Sequence, residues 1–597
     1  MKGLCSPSLL LLAVLGWVGG NGWADGYSLT RRGADNPGPD NFIRHRYPSV
    51  VVFGDYLYID GGELSQRPNG TEANSTQSAQ TYPSYAVSST LSLRLNESWT
   101  NETAEFRSIS KTAPLLDQQI LWSDTSINTF YVWGGMATGS ATPPGDELWL
   151  FNGDGTGGGT WSQVPQGDFR DFSRLVRPVG SSFTQTASVG YALGGQVTSK
   201  TDRTIQKDDP GYAVQGLVSY NFATSQWTNS SSAEFEGYGT SLNGRAEYIP
   251  FGPNGLLLFF GGAETPIDAT EDSIVQLSWN WLTLHDPVTG KWYTQATSGM
   301  RPPVVERACS VGVQGPDNTY EIFIYGGTSD QIGGISSDVH VLSLPGFVFS
   351  KADVPGTPRA DHACAVVGKG KRQMLSYGGV DGGPGLRSAN ITADPWKQGL
   401  GVFNMSEMKW TESYDPNATD YESPAAVRDW YARGGMGTVV WKSDEVKGLF
   451  INGSSTTYGS SNSSSTSSPQ QTSSRKTGGI VGGTVGGVVA VTVLGVAAFL
   501  VLRRRRRRQS VVPSEEIEEY RPEPWPKDTP RVRSTTPGTM MTMTEDIPPL
   551  PMIPVEAVEI GGIARGELPG DDVDWTYELP VPTPRTRPEL PDRKYTF

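Results

Sequence analysis

The residue types that most often carry chemistry are scarce in this 597-residue chain. Its four histidines, His45, His285, His340 and His362, are dispersed. Its three cysteines are Cys5, Cys309 and Cys364. Tyrosine, at 23 residues, is plentiful and discriminates nothing. Acidic groups in the loops cannot be paired into an acid–base couple from sequence alone. No catalytic residue, cofactor-binding residue or metal ligand is assigned, and no cofactor is expected.

The compartment decides what the cysteines can do. Gly479 to Leu502 carries no charge over 24 residues. As a helix at about 1.5 Å per residue it reaches roughly 36 Å, enough for a hydrocarbon core of about 30 Å. Six arginines follow, Arg503 to Arg508. Positive residues beside a span stay on the cytoplasmic side. At the other end, Lys2 precedes an apolar run from Leu9 to Val18, and Gly22-Trp23-Ala24 suits signal-peptidase cleavage. Residues 1–24 therefore read as a signal peptide and 479–502 as one transmembrane helix. Ten N-x-[ST] sequons precede the span: Asn69, Asn74, Asn96, Asn101, Asn229, Asn390, Asn404, Asn417, Asn452 and Asn462. No asparagine follows Arg508. The expected topology is a type I single-pass glycoprotein of the plasma membrane or another secretory-pathway membrane. Its N-terminus is extracellular or luminal and its C-terminus cytoplasmic. Cys5 leaves with the signal peptide, so Cys309 and Cys364 remain in an oxidising compartment.

Net charge is −14, which argues against nucleic-acid binding, and the membrane explains the arginine run. Glycine, at 72 residues, suits a turn-rich β domain. That domain repeats. Apolar or aromatic runs end in glycine pairs at Gly61-Gly62, Gly134-Gly135, Gly194-Gly195, Gly261-Gly262, Gly326-Gly327 and Gly378-Gly379. The spacings are 73, 60, 67, 65 and 52 residues. Each run reads as a strand closed by residues that permit positive φ. A blade aromatic follows each: Trp99, Trp161, Trp227, Trp292, Phe349 (with Phe347) and Trp410.

Strand, glycine pair, loop and aromatic strand in this order resemble kelch repeats over roughly residues 42–453. Pro358-Arg359-Ala360-Asp361-His362 resembles the segment that opens many kelch blades, and Pro303 to Arg307 is a looser version. The resemblance implies an all-β, kelch-type β-propeller of six or seven blades over residues 25–453. Seven is slightly preferred, with strands at 437–441 and 448–452 starting a blade that residues near 27–43 complete. The glycines and aromatics are then architectural, because radial stacking is what buries the faces of each blade. Cys309 and Cys364 hold matching positions in the opening strands of adjacent repeats. They form either a disulfide or two small buried hydrophobes.

Kelch-like propellers include the galactose oxidases, whose resemblance would imply a copper site of two tyrosines, two histidines and a tyrosine-linked cysteine. The dispersed histidines argue against that centre, and the kelch motif explains His362. Asn152-Gly153-Asp154-Gly155 through Thr160-Trp161 faintly resembles the Asp-box of sialidase-like propellers, but its spacing is too long and it occurs once. Binding on rim loops is the better reading, with Thr198–Gly211, Ala263–Asp272 and Gly379–Trp396 as candidates.

Residues 454–478 form a Ser/Thr-rich stalk. Within the span, Gly479, Gly483 and Gly487 offer a helix-dimer face. Residues 503–597 form a basic anchor and a disordered Pro-rich tail with 16 prolines after Arg508. Arg585, Pro588, Pro591 and Arg593 match both orientations of a Src-homology-3 ligand. The whole resembles fungal single-pass kelch-repeat membrane proteins. It implies a receptor-like cell-surface binding protein or scaffold, linking an unknown extracellular protein or glycan to cytoplasmic adaptors. The alternative is a membrane-tethered carbohydrate-active enzyme, galactose oxidase-like or glycosidase-like.

Overall fold

A computed structural model describes residues 38–67, 84–139, 141–167, 169–207, 211–267, 273–381 and 393–451. The signal peptide, Asn69, Asn74, Asn390, Asn452, Asn462, the stalk, the span, the arginine run and the Pro-rich ligand motif lie outside these residues. No helix among the described residues is long and apolar enough to cross a membrane.

The described residues hold six blades, each with four antiparallel strands in sequence order, together with smaller two- and three-stranded sheets. Blade 1 comprises Ser49–Phe53, Tyr56–Asp60, Ser89–Arg94 and Phe106–Ser110. Blade 2 comprises Ile120–Asp124, Thr129–Trp133, Trp149–Gly153 and Gly159–Gln163. Blade 3 comprises Ser182–Gln185, Val189–Leu193, Leu217–Asn221 and Gln226–Ser230. Blade 4 comprises Arg245–Ile249, Leu256–Phe260, Trp281–His285 and Trp292–Ala296. Blade 5 comprises Cys309–Gln314, Tyr320–Tyr325, Val339–Leu344 and Val348–Lys351, with Ser298–Gly299 added at its edge. Blade 6 comprises Ala363–Val367, Gln373–Tyr377, Leu400–Asn404 and Lys409–Thr411.

The first strand of each blade lies beside the first strand of the next, and that of blade 6 lies beside that of blade 1. The second strands are the most enclosed. Thr129–Trp133, Leu256–Phe260 and Gln373–Tyr377 are buried at every position. Both faces of such a strand are covered by neighbouring blades, so it reads as a continuous apolar run.

The glycine pairs stitch blade to blade. Both glycines of every pair have positive φ. The N–H of the second glycine donates to a carbonyl in the segment entering the next blade. Gly62 bonds Leu116 at 2.9 Å, Gly135 bonds Pro178 at 2.8 Å and Gly195 bonds Ser241 at 2.7 Å. Gly262 bonds Val305 at 2.7 Å, Gly327 bonds Arg359 at 2.8 Å and Gly379 bonds His45 at 2.6 Å. The last bond closes the ring. At five of the six pairs the first glycine has no room for a side chain, and at Gly261 the nearest atom would lie at 3.1 Å. A Cβ on Gly326 would lie 2.0 Å from the Arg359 carbonyl oxygen.

Most aromatics fill the seams. Trp161 packs on Phe130 and Phe151, and its indole N–H reaches Thr90 of blade 1 at 3.0 Å. Trp227 donates to Gln166 at 2.7 Å, in the segment after blade 2. Trp292 packs on Phe235 and Phe259, Phe349 meets Trp279, and Trp410 meets Tyr325 of blade 5. Trp99 differs. It precedes the fourth strand of blade 1, where Trp99–Thr100 pairs with Ser413–Tyr414 beyond blade 6. Its ring stacks on Tyr414 at 4.9 Å, so it seals the first blade to the last.

The preference for a seventh blade is overturned. Gly435–Thr438 is a 3₁₀ turn and Asp444–Ile451 is an α-helix. Ser443 caps that helix by accepting the Val446 N–H at 3.2 Å. Val446 and Phe450, one turn apart, are buried, and Phe450 packs on Phe251 and Phe347. Leu449-Phe450-Ile451 is thus part of a helix stripe, not an outlying strand. This C-terminal segment crosses the face made by the connections between strands one and two and between strands three and four. Tyr421 bonds Gly370 at 2.7 Å, Gly346 bonds the Tyr431 hydroxyl at 3.0 Å and Gly252 bonds Leu449 at 2.9 Å. The glycine pairs and the entry segments occupy the opposite face.

The clash and the left-handed φ at Gly326 make a sharp prediction. Gly326→Ala should cost about 3 kcal/mol or more. Gly333→Ala, with φ +62° and open space around its Cβ, should cost about 1 kcal/mol. Urea unfolding midpoints of the two variants measure the difference.

Candidate functional site

Two residues after each carbonyl that accepts a glycine N–H, the chain adopts a left-handed conformation. These residues are Tyr47 (φ 61°), Gln118 (49°), Gly180 (71°), Asn243 (54°), Arg307 (61°) and Asp361 (55°). One stands before the first strand of each blade, and together they ring the mouth of an axial cavity. Five of the six junctions carry a backbone bond between ring members. Tyr47 donates to Asp361 at 2.9 Å, Gln118 to Tyr47 at 3.5 Å and Asn243 to Gly180 at 2.7 Å. Arg307 donates to Asn243 at 2.9 Å and Asp361 to Arg307 at 3.2 Å. A non-glycine residue in this conformation costs of order 1–2 kcal/mol. Such strain persists where the surroundings over-determine it, and it concentrates at functional sites.

The cavity has a volume of about 310 Å³ and is lined from all six blades. Its charged side chains are Arg245, Glu247, Arg307 and Asp361, with His362 beside them. Arg307 Nη1 donates to Asp361 Oδ1 at 3.1 Å, and Gln118 Nε2 reaches the same oxygen at 3.4 Å. Asp361 Oδ2 is buried without a protein partner. Arg245 Nε donates to the Ala308 carbonyl, and Ser310 Oγ donates to Glu247 at 3.0 Å.

Burial sets the protonation pattern. It pushes the Glu247 carboxyl up to about 7, although Ser310 and Arg245 favour the anion. Burial also raises Asp361, against the opposing pull of Arg307. His362 falls well below its ordinary value through burial and the cations Arg359 and Arg245. At neutral pH the wall therefore presents two guanidiniums, the Asp361 carboxyl group bonded to one of them, a partly protonated Glu247 and a neutral imidazole. This arrangement can hold an acceptor-rich ligand by charge-assisted bonds and offers Asp361 Oδ2 to a ligand N–H.

The structure separates the histidines. His45 is buried between Tyr377 at 2.9 Å and the Gly61 carbonyl at 2.9 Å. His285 packs on Trp292 in blade 4, and His340 lies on the third strand of blade 5. Of the four, His362 lines the cavity, and its lining includes one tyrosine, Tyr47. The residues of a two-tyrosine, two-histidine copper centre are not brought together there. Cys309 and Cys364 are joined as a disulfide with Cα atoms 5.6 Å apart, in the cavity wall between blades 5 and 6. Asp154 closes a hairpin by accepting from Thr156 and Gly158, which accounts for the Asp-box-like stretch. The described parts of the three candidate rim loops follow the glycine pairs, on the mouth side. Of the described sequons, Asn96, Asn229 and Asn417 are exposed, and Asn101 and Asn404 are half-buried.

Arg245, Glu247 and the ring of left-handed residues escaped the sequence reading. Glycine, asparagine and aspartate at three ring positions are the types that tolerate positive φ. Tyr47, Gln118 and Arg307 carry no such signal.

Glu247 makes stability pH-dependent with a definite sign. An acid raised in the fold holds its proton when the unfolded chain has lost it. Its contribution is complete below the ordinary glutamate range near 4.5 and is lost as pH rises to about 7. Glu247 keeps some contact with cavity solvent, so the loss should be about 1–3 kcal/mol. Glu247→Gln should raise the unfolding midpoint at pH 8 and leave it nearly unchanged at pH 4. Paired denaturation curves at the two pH values measure this.

No family model matches the chain. A kelch repeat-containing protein of Arthroderma benhamiae is 23% identical over 454 residues, covering 68% of this chain. The chain spans 62% of that relative's length. Six sheets in phase with six glycine pairs, together with this likeness, fit a kelch-type β-propeller.

Proposed function

We propose that this chain is a cell-surface binding protein whose propeller captures an extracellular protein segment at the axial mouth. The observation that carries this reading is the mouth itself: a strained six-residue ring over a cavity holding Arg245 and Arg307. Two guanidiniums favour carboxylate-bearing segments, and Asp361 Oδ2 suits a peptide N–H. The last described helix lies on the opposite face, so the described residues leave the mouth uncovered by it. A surface location rests on the signal peptide, the sequons and the span read from sequence. The Arg585–Arg593 motif supplies the link to a Src-homology-3 adaptor, and the glycine face of the span supplies self-association.

A second reading, a glycosidase-like enzyme, is favoured by one feature: Glu247, with its carboxyl near neutrality, shares the cavity with Asp361. General acid catalysis needs that placement of a pKa.

Both readings are tested with the full chain in lipid nanodiscs. On an array of acidic, neutral and basic peptides, acidic peptides should be retained. Arg307→Ala should weaken retention about 10-fold or more, whereas Arg433→Ala, exposed on the other face, should not. Equal retention of acidic and basic peptides would reject the mouth as a carboxylate site. Retention on a glycan array instead would move the ligand class to carbohydrate. Turnover of aryl glycosides that Glu247→Gln abolishes would establish the enzyme.

A further inference from the structure

His362 is 3% exposed, yet neither of its ring nitrogens has a hydrogen-bond partner. A buried imidazole with two unmet nitrogens requires a physical reason. Its surroundings supply one. A ring nitrogen of His362 and the sulfurs of Cys309 and Cys364 all lie within 4.8 Å of one another. All three residues line the axial cavity, so solvent and ions have a path to them.

We propose that Cys309, Cys364 and His362 form a redox-gated site for a soft or borderline metal ion such as Zn²⁺, closed while the disulfide is intact. Two thiolates and an imidazole are a donor set for zinc or cuprous ion, with the fourth position of a zinc site open to cavity water. The cysteines sit on the neighbouring first strands of blades 5 and 6 with Cα atoms 5.6 Å apart. Zinc–sulfur bonds of about 2.3 Å need only a modest parting of the two sulfurs.

A dithiol reductant transfers two electrons and two protons to the Cys309–Cys364 bond and becomes a cyclic disulfide. The sulfur–sulfur bond breaks and two thiols form. The incoming Zn²⁺ displaces both thiol protons to solvent, leaving two thiolates. His362 contributes a ring-nitrogen lone pair, and the guanidiniums of Arg359 and Arg245 lie nearby. Those guanidiniums favour the negative charge of the dithiolate. In an oxidising compartment the bonded form prevails, so metal uptake reports exposure to reductant.

The test uses the full chain in detergent, in a Cys5→Ser background that removes the leader thiol. One half is reduced with dithiothreitol and freed of it under nitrogen; the other stays oxidised. Both are given Zn²⁺ or Co²⁺ and separated from free metal. The reduced protein should hold one equivalent of zinc, and its cobalt form should show a thiolate charge-transfer band. The oxidised protein should hold no zinc. His362→Ala should weaken zinc binding by about tenfold or more. Equal metal content in the two redox states overturns the proposal, as does unchanged affinity in folded His362→Ala. If His362→Ala does not fold, the redox comparison in the unmutated site decides.

Discussion

The bond from the second glycine of each pair to the next blade governs the rest of the structure. At five of the six seams it brings the chains too close for a side chain on the first glycine, as the 2.0 Å approach at Gly326 shows. It fixes the segment entering each blade. Two residues later the chain must turn into a strand beside the axis, and it does so through a left-handed residue. Those residues form the mouth. A seam requirement between blades thereby becomes the geometry of a binding site at the centre. Five ring members pay for it with backbone strain that glycine would have avoided.

Two kinds of buried arginine must be distinguished. Arg359 is fully enclosed and ion-paired through both terminal nitrogens, although its Nε has no partner. It donates twice to Asp394 at 2.8 Å and once to the Gly378 carbonyl at 2.6 Å, with Trp396 against its face. Burial opposes its charge, but Asp394 raises its pKa nonetheless. Removing Asp394 would strand the buried Arg359 charge, and Arg44 Nη1 also lies 3.5 Å from Asp394, which makes this cluster structural. Arg245 and Arg307 line the cavity instead, and Arg307 keeps part of its surface exposed. Position in the ring, not residue type, separates scaffold from site.

What was legible in the sequence follows from sterics. Glycine pairs and seam aromatics recur because each of six interfaces imposes the same close approach and fills the same gap. The seventh blade was misread because Leu449-Phe450-Ile451 is apolar enough for a strand. The deciding signals were local: Ser443 as a cap, acidic residues in the first turn, and burial spaced by four. The cavity was hardly legible, since each blade gives the ring one residue and those residues differ in type. Their first-strand neighbours Arg245 and Glu247 look like ordinary alternating strand residues. The matching positions of Cys309 and Cys364 were visible, but the nearness of His362 to Cys309 needed the side-by-side approach of the first strands of blades 5 and 6.

Hydrogen exchange at the six second-glycine amides tests the closed six-bladed ring most directly. In a ring closed by the Gly379 to His45 bond, all six amides exchange only through global unfolding, with one common free energy. Fast exchange at Gly379 alone, with the other five protected, would mean that blade 6 does not close on blade 1. The axial mouth would then lose the geometry on which the proposed function rests.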